Sequence, residues 1–437
     1  MFAFLRKVFK SKKSGHYFIH IPKTAGTSFI NILDNCHEFD SIFPCQLWRE
    51  INQGIIDSKD HYKLIRGHFG GNTYRFLSSG NPHLLTILRH PQSLAVSTYH
   101  FIKREKNTAV HDLVTNSQMS LKEFLKHSQT SVKINNRMVR HLSFDLKDDP
   151  EAQELFLSEE SIKVINQWLE PGKKIDNKDR LQRAINLLNN CSWFGIQEQF
   201  DKSMQLFAYT FNLPPNGDSP NLNAFNPKQP IDEECVNIIY QENEFDLKLY
   251  NHALQKFEEK YAQMCKKLKS EFHTESSKDI NQLIDLNYRK HHKTEILESV
   301  EYDFSNKLLG GGWHRREITL PENDFFRWTQ RPDSFIDFWL KPNIYVLSIR
   351  IINSISEELL ENLVVTANDI SLDYQFDAAI GVVRILSAQI NKEMFSDNLL
   401  RIRFIQPETK RHSEIFGSND NRRLGFAVHW IKLVPCQ

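Results

Sequence analysis

The sequence predicts an α/β domain built on a parallel sheet flanked by helices, followed by a smaller C-terminal β-sandwich. Three observations carry the prediction. From about Tyr17 to Lys269, short β-branched or apolar runs alternate with longer segments of helical period. Beyond about Leu297, strand-like runs follow one another with turn residues and no helical segment between them. The stretch HTESSKDINQLIDLNYRKHHKTEI between them is polar and rich in His and Lys. A chain of 437 residues is long enough for two or three domains, each burying a core of its own. The expected division is a basic N-terminal segment at 1–15, an α/β domain at 16–269, a linker with one short helix at 270–297 and a β-sandwich accessory domain at 298–437.

In chain order, HYFIHIP (16–22), KLIRGHF (63–69) and HLLTILRHP (83–91) read as strands, because their large apolar residues run continuously as buried parallel strands require. Helices are expected over 27–36, 94–104, 181–189, 201–211 and 245–268. The last carries Phe245, Leu249, Ala253, Phe257 and Tyr261 on one stripe. NLPPNGDSPNLNAFNPKQP at 212–230 consists almost wholly of turn formers and reads as an irregular surface loop. The sandwich strands are FIDFWLK, IYVLSIRII, LVVTAND, GVVRILSAQI, LLRIRFIQP and LGFAVHWIKLV.

Composition narrows the function. Lys and Arg number 55 against 54 Asp and Glu, a formal net charge of +1, so nucleic acid is not an expected partner: affinity for a phosphate backbone comes from an excess of cations. Cysteines 36, 45, 191, 235, 265 and 436 form no CxxC pair, and neither a disulfide framework nor a zinc site is expected. With no bilayer-spanning apolar run and no signal-peptide core, a cytoplasmic location is expected. The segment MFAFLRKVFKSKK sets Arg6, Lys7, Lys10, Lys12 and Lys13 beside Phe2, Phe4, Leu5, Val8 and Phe9. It reads as a solvated terminus, with peripheral contact to an anionic membrane as the alternative.

Two segments carry chemistry. In YFIHIPKTAGTSF (17–29) an apolar strand ends at Pro22, a loop offers Lys23, Thr24, Ala25, Gly26, Thr27 and Ser28, and an amphipathic helix follows. Such a turn aims backbone N–H groups, hydroxyls and a helix N-terminus at one point, which suits a tetrahedral anion. It is not the Walker pattern, because its Lys precedes its Gly. In TILRHPQSLAVSTYHF (86–101), Arg89 lies at the C-terminal end of a strand and Ser97 about two turns into the following helix. Ligands of open parallel sheets gather at that edge, and a guanidinium beside a hydroxyl there can hold a phosphate monoester. Alone, the first segment reads equally as a capped turn and Arg89 as a surface ion pair.

PKTAGTS at 22–28 followed by LRHPxxxxxSxY at 88–99 resembles the paired cofactor loops of sulfotransferases that use 3′-phosphoadenosine 5′-phosphosulfate, in texture the heparan sulfate 2-O-sulfotransferase branch and its bacterial relatives. The resemblance implies a P-loop-like sulfotransferase fold over about residues 16–265. It implies that Lys23, Thr24, Ala25, Gly26, Thr27 and Ser28 grip the 5′-phosphosulfate, and that Arg89 and Ser97 grip the 3′-phosphate. RGHF at 66–69 matches the Gly-His pair that carries the catalytic base in that family, which implies His68 as base. NNRMVRHL at 135–142 and WFGIQEQFDKSMQLF at 193–207 extend the likeness, while HP in place of DP after Arg89 and a poorly aligned insert near 145–174 depart from it. The implied acceptor is a hydroxyl of a carbohydrate or glycolipid.

The residue types fit that chemistry. Sulfuryl transfer is an in-line displacement at sulfur, so the acceptor hydroxyl must lose a proton and the leaving phosphate must be stabilised. A neutral His68 takes the proton, and Lys23, also counted as catalytic, neutralises the leaving oxygens, with no metal expected. His20 is expected to be structural. Arg137 and Arg140 are expected to meet an acidic acceptor or the cofactor, with ordinary surface ion pairs as the alternative. The rival functions are a nucleotide- or glycan-binding protein without turnover and a P-loop-type kinase. In the sandwich, Trp313 and Trp328 are expected as core. Their alternative, with Arg327, is a set of sugar-stacking residues.

Overall fold

The computed structural model describes residues 15–78, 80–148, 153, 157–169, 172, 175–215, 231–273, 279–321, 323–377 and 382–436. The N-terminal segment at 1–14, the loop at 216–230 and parts of the 145–174 insert lie outside the described residues. The chain forms two compact units. The first comprises Met1–Ile30, Ser41–Ser203 and Asn221–Gln263; the second comprises Asn31–Asp40, Met204–Pro220 and Met264–Gln437.

The first unit is organised by a four-stranded sheet of β1 (His16–Ile19), β2 (Leu64–Gly67), β3 (His83–Leu88) and β4 (Trp193–Ile196), in the order β2-β1-β3-β4. Every pairing is parallel. Buried on both faces, its strands are continuously apolar: Tyr17, Phe18, Ile19, Leu85, Ile87, Leu88, Trp193 and Phe194 are all at most 2% exposed. The hydroxyls inside are satisfied: Thr86 donates to the Ile19 carbonyl at 3.0 Å and Tyr17 to the Gly70 carbonyl at 2.9 Å. Helices follow the strand ends. They include α1 (Gly26–Asn35), α2 (Pro91–Arg104, with Pro at its first turn), α3 (Arg137–Ser143), α4 (Asn177–Asn190), α5 (Phe200–Phe211) and α6 (Glu244–Glu271). The α1 face lands on the sheet through Phe29, whose ring stacks on Trp193 at 4.6 Å and meets Phe18 edge-on at 5.0 Å.

The second unit holds an antiparallel β-sandwich. One sheet runs Tyr374–Phe376, Arg384–Ile390, Tyr345–Ser354, Phe426–Pro435, Phe325–Trp328, Glu317–Ile318, with Val300–Asp303 also paired to Phe426–Pro435. The other runs Ile370–Ser371, Val364–Ala367, Leu399–Ile405, Asp333–Trp339, Gly310–Gly311. Below, β5 denotes Asp333–Trp339 and β6 denotes Leu399–Ile405. Alternate residues turn inward: Ile336 and Phe338 from β5, Leu400, Ile402 and Phe404 from β6, and Leu347 and Ile349 from the facing sheet share one core.

Two differences from the sequence reading have physical causes. The short helix expected at 270–297 is present as α7 (Ile280–His291), but it packs as part of the second unit rather than lying in a linker, with Leu283, Ile284 and Tyr288 buried. Its polar surface masks a short apolar face. The strands Val300–Asp303, Gly310–Gly311 and Phe325–Trp328 go beyond those expected, because two to four residues are too few to show a period. As expected, Trp313 and Trp328 are core residues, 6% and 8% exposed, and with Arg327 fully buried the sugar-stacking alternative falls for all three. Among the described residues no helix is long and apolar enough to cross a membrane.

Candidate anion-binding site

The strand order sets where a ligand site belongs. Chain connections leave β1 for β2 on one side and return to β3 on the other, so the sheet has its topological switch point between β1 and β3, and open α/β sheets bind ligands beyond the C-terminal ends of the strands at such a point. The loop after β1 and Arg89 after β3 both lie there.

The loop is held in an unusual shape. Lys23 and Ala25 have φ of 70° and 67°, in the left-handed region that side chains other than Gly rarely adopt. The surroundings impose it. Fully buried Thr24 donates its hydroxyl to the Ile21 carbonyl at 2.8 Å, and Arg89 Nη1 donates to the Lys23 carbonyl at 2.9 Å. Gly26 opens α1 pressed against His20: a Cβ there would stand 2.0 Å from His20 Cδ2, so no other residue fits without moving the ring. Thr27 is exposed and Ser28 and Ala25 are half-buried. Alternating left-handed backbone of this kind turns successive N–H groups toward one side, a nest for an anion.

Cations converge on this loop. Lys23 Nζ lies 4.2 Å from the centroid of Phe101, and the lysine pKa is pushed down to about 8, by burial first and then by Arg104, Arg89 and Arg137. Arg89 is held below its ordinary value by burial, with Glu198 pulling the other way, and its Nε is buried without a hydrogen-bond partner. Burial, with Arg140 beside it, brings Arg137 down to about 9; its Nη1 donates to Thr98 Oγ1 at 3.2 Å. Arg104, Arg89 and Arg137 all disfavour the charge on Lys23, with Glu105 opposing them, and such a neighbourhood suits an anionic ligand. Glu198, at the end of β4, fastens the turn after Arg89: it accepts from the His90 amide at 2.9 Å and from the Tyr250 hydroxyl at 3.1 Å.

A histidine pair completes the edge. His68 follows β2, and its ring stacks on that of His20 at 4.2 Å. Its Nδ1 lies 2.6 Å from the His20 carbonyl. A carbonyl only accepts, so Nδ1 carries the proton and Nε2 keeps the lone pair. Burial, with a smaller push from Arg137, brings His68 down to about 4 despite that bond, so it is neutral near pH 7. His20 is 7% exposed and held well below its usual value by burial and then by His68, which fits a structural role.

The expected residues divide. Lys23, Arg89, Arg137 and His68 are linked by the mutual electrostatic effects described above. Ser97 is 8% exposed on α2, one turn before Phe101 on the same face. Arg140 turns elsewhere: its Nη2 donates to the Val132 carbonyl at 2.5 Å, and Asp246 rather than the loop raises its pKa against burial. Phe101, Arg104 and His141 were missed by sequence reasoning. His141, held well below its ordinary value by burial and Arg137, lies one turn after Arg137, and Phe101 one turn after Ser97, so i, i+4 spacing from the recognised residues was the available signal. Two cavities, of about 800 Å³ near Asn81 and Leu84 and about 840 Å³ in the second unit, do not include the loop.

No family model and no curated protein matches the chain. Among solved structures, the C-terminal CBM6 of LamC, a marine laminarinase from Zobellia galactanivorans, is similar at 9% identity over 31% of this chain and 99% of that one, with a TM-score of 0.21. CsCBM6-3 from Clostridium stercorarium, in complex with cellobiose, is similar at 9% identity over 32% of this chain and 95% of that one, with a TM-score of 0.19. At scores this low neither likeness bears on function, which rests on the chain's own residues.

Proposed function

We propose that the first unit is a P-loop-like sulfotransferase that moves a sulfuryl group from 3′-phosphoadenosine 5′-phosphosulfate to a hydroxyl of a carbohydrate or glycolipid. The observation that carries the reading is the gathering of Arg89, Arg104 and Arg137 around Lys23, whose charge they disfavour, beside a neutral histidine at the switch point of a parallel sheet. The sequence resemblance supplies the identity of the donor and the class of acceptor.

The residues present suit the donor. Arg89 Nε is a buried donor awaiting an acceptor, and Lys23 with the loop amides offers charge and N–H groups to a second anionic group. When bound, the nucleotide supplies an activated sulfuryl group and a phosphate that leaves. Lys23 meets charge growing on the leaving oxygens, and the rigid loop does so without reorganising. His68 Nε2 accepts the acceptor hydroxyl's proton, while the His20 carbonyl holds the tautomer and the stacked His20 ring holds the plane.

The test has two parts. Isothermal titration of the full chain with 3′-phosphoadenosine 5′-phosphate, without metal, should give binding on the order of micromolar that Arg89→Ala removes and ATP cannot match. His68→Ala should keep that binding and lower sulfuryl transfer to a carbohydrate acceptor by roughly 10² to 10⁴. Tighter binding of ATP with Mg²⁺ would favour a kinase; binding without transfer in the unaltered chain would favour a protein that binds nucleotide without turnover.

A further inference from the structure

The second unit has a cavity of about 840 Å³ on the outer face of its five-stranded sheet. Because Ile336, Phe338, Ile402 and Phe404 turn into the core, Phe335 and Asp337 of β5 and Arg401 and Arg403 of β6 turn the other way. The register sets Phe335 opposite Arg403 and Asp337 opposite Arg401, so an aromatic ring and two guanidiniums share the floor, with the Arg401 guanidinium over one face of the ring. Asp285 and Arg289 of α7 form one wall, and Arg331, Asp333 and Asp369 stand at the rim.

The charges are paired and fixed. Arg401 reaches Asp285 at 2.7 Å and Asp337 at 2.7 Å, Arg289 reaches Asp285 at 2.8 Å, and Arg403 reaches Asp333 at 2.6 Å and Asp369 at 3.6 Å. Phe335 is half-buried, with the Arg401 guanidinium 4.2 Å from its centroid. A polyanion would meet the exposed carboxylates of Asp333 and Asp369, whose side chains are 54% and 77% exposed. A wholly apolar ligand would strip water from these ion pairs without replacing their hydrogen bonds. A neutral sugar meets both demands: its C–H face covers an aromatic ring, and its hydroxyls donate to carboxylates and accept from guanidiniums at once.

We propose that this cavity binds neutral oligosaccharide, with Phe335 as the apolar platform and Arg403, Asp333 and Asp369 as hydroxyl partners. The site is separate from the loop cluster and does not depend on the transfer reaction. The experiment titrates the full chain with maltohexaose, cellohexaose, mannohexaose and chitohexaose, with polygalacturonate as the anionic comparison. At least one hexasaccharide should bind with Kd on the order of 1 mM or tighter. Phe335→Leu, which keeps apolar bulk, should weaken it on the order of tenfold, and Asp369→Ala several-fold, while Arg89→Ala leaves it unchanged. Should Phe335→Leu fail to fold, the rim variant Asp369→Ala decides. Binding of no hexasaccharide, binding of polygalacturonate alone, indifference to the Phe335 and Asp369 changes, or loss in Arg89→Ala would each overturn the proposal.

Discussion

Lys23 and His68 are both pushed below their ordinary pKa, which keeps His68 neutral and narrows the range over which Lys23 is charged. Lys23, pushed down to about 8 by burial and neighbouring arginines, is charged below that pH and loses its charge above it. His68, pushed down to about 4 by burial, is a competent base above that pH. The expected profile of kcat/KM for sulfuryl transfer is therefore a plateau from above about pH 4 to about pH 8, falling on the acid side as His68 protonates and on the alkaline side as Lys23 deprotonates. Lys23→Arg should remove the alkaline limb, because a guanidinium keeps its charge. An acid limb near the ordinary histidine value of about 6.5 would mean a solvated His68, against the burial described.

At the scale of elements, α3 and the start of α6 are stapled by a reciprocal set of buried bonds. Asn136 Oδ1 accepts from the Phe245 and Asp246 amides at 3.0 Å each, while Asp246 accepts from the Met138 and Val139 amides at 3.0 and 2.8 Å. Each side chain thus caps the helix that follows the other, and Asn136 takes a left-handed φ of 42° to do so. Since α3 carries Arg137, the staple also positions a residue of the site. Asp246→Ala should cost about 3 kcal/mol in urea unfolding, as it orphans two amides and leaves Arg137 and Arg140 without a buried counter-charge. Burial lifts the Asp246 carboxyl to about 6, against the pull of Val139, Met138, Arg140 and Arg137. The folded state thus holds that proton more tightly than the unfolded chain does, so the stability advantage of the unaltered chain over Asp246→Ala should shrink as pH rises from about 4 to about 6.

At the scale of the whole molecule, each unit has its own core and its own buried ionic centre. In the first, Asp148 is fully buried between Arg183 at 2.7 Å and Arg180 at 3.3 Å. In the second, Arg401, 5% exposed, joins Asp285 to Asp337 and so ties α7 to the sheet. Burial raises Asp285, but Arg401 and Arg289 outweigh it and hold the carboxyl below its usual value. Its stabilising contribution is complete above the ordinary carboxylate range and is lost as pH falls through the lowered pKa. Arg401→Ala should cost about 3–5 kcal/mol at neutral pH in chemical denaturation, because Asp337 is left fully buried without its cation while Asp285 keeps only Arg289. With a net charge of only +1, the molecule lacks a long-range field, and any preference for anions comes from local groups such as those around Lys23.

The sequence by itself determined the α/β unit, the sandwich after it and the two loops at one sheet edge, since continuous apolar runs, helical stripes and strand-end polar residues are local patterns that fold much as written. YFIHIPKTAGTSF and TILRHPQSLAVSTYHF were legible for that reason, their strands and helices forming within a few residues of the expected bounds. Tertiary structure alone decided what those loops meet. That Arg137 comes from α3 to within electrostatic reach of His68 depends on residues far apart in the chain, while the turn of Arg140, three residues on, to the Val132 carbonyl and the pressure of the His20 ring on Gly26 depend on local packing that no period records. The cavity beside Phe335 is of the same kind, because cross-strand register and the packing of α7 put its floor and wall together. Periodicity records which face of an element is apolar; only packing fixes which charges share a low-dielectric neighbourhood, and that proximity sets the pKa values on which the proposed chemistry rests.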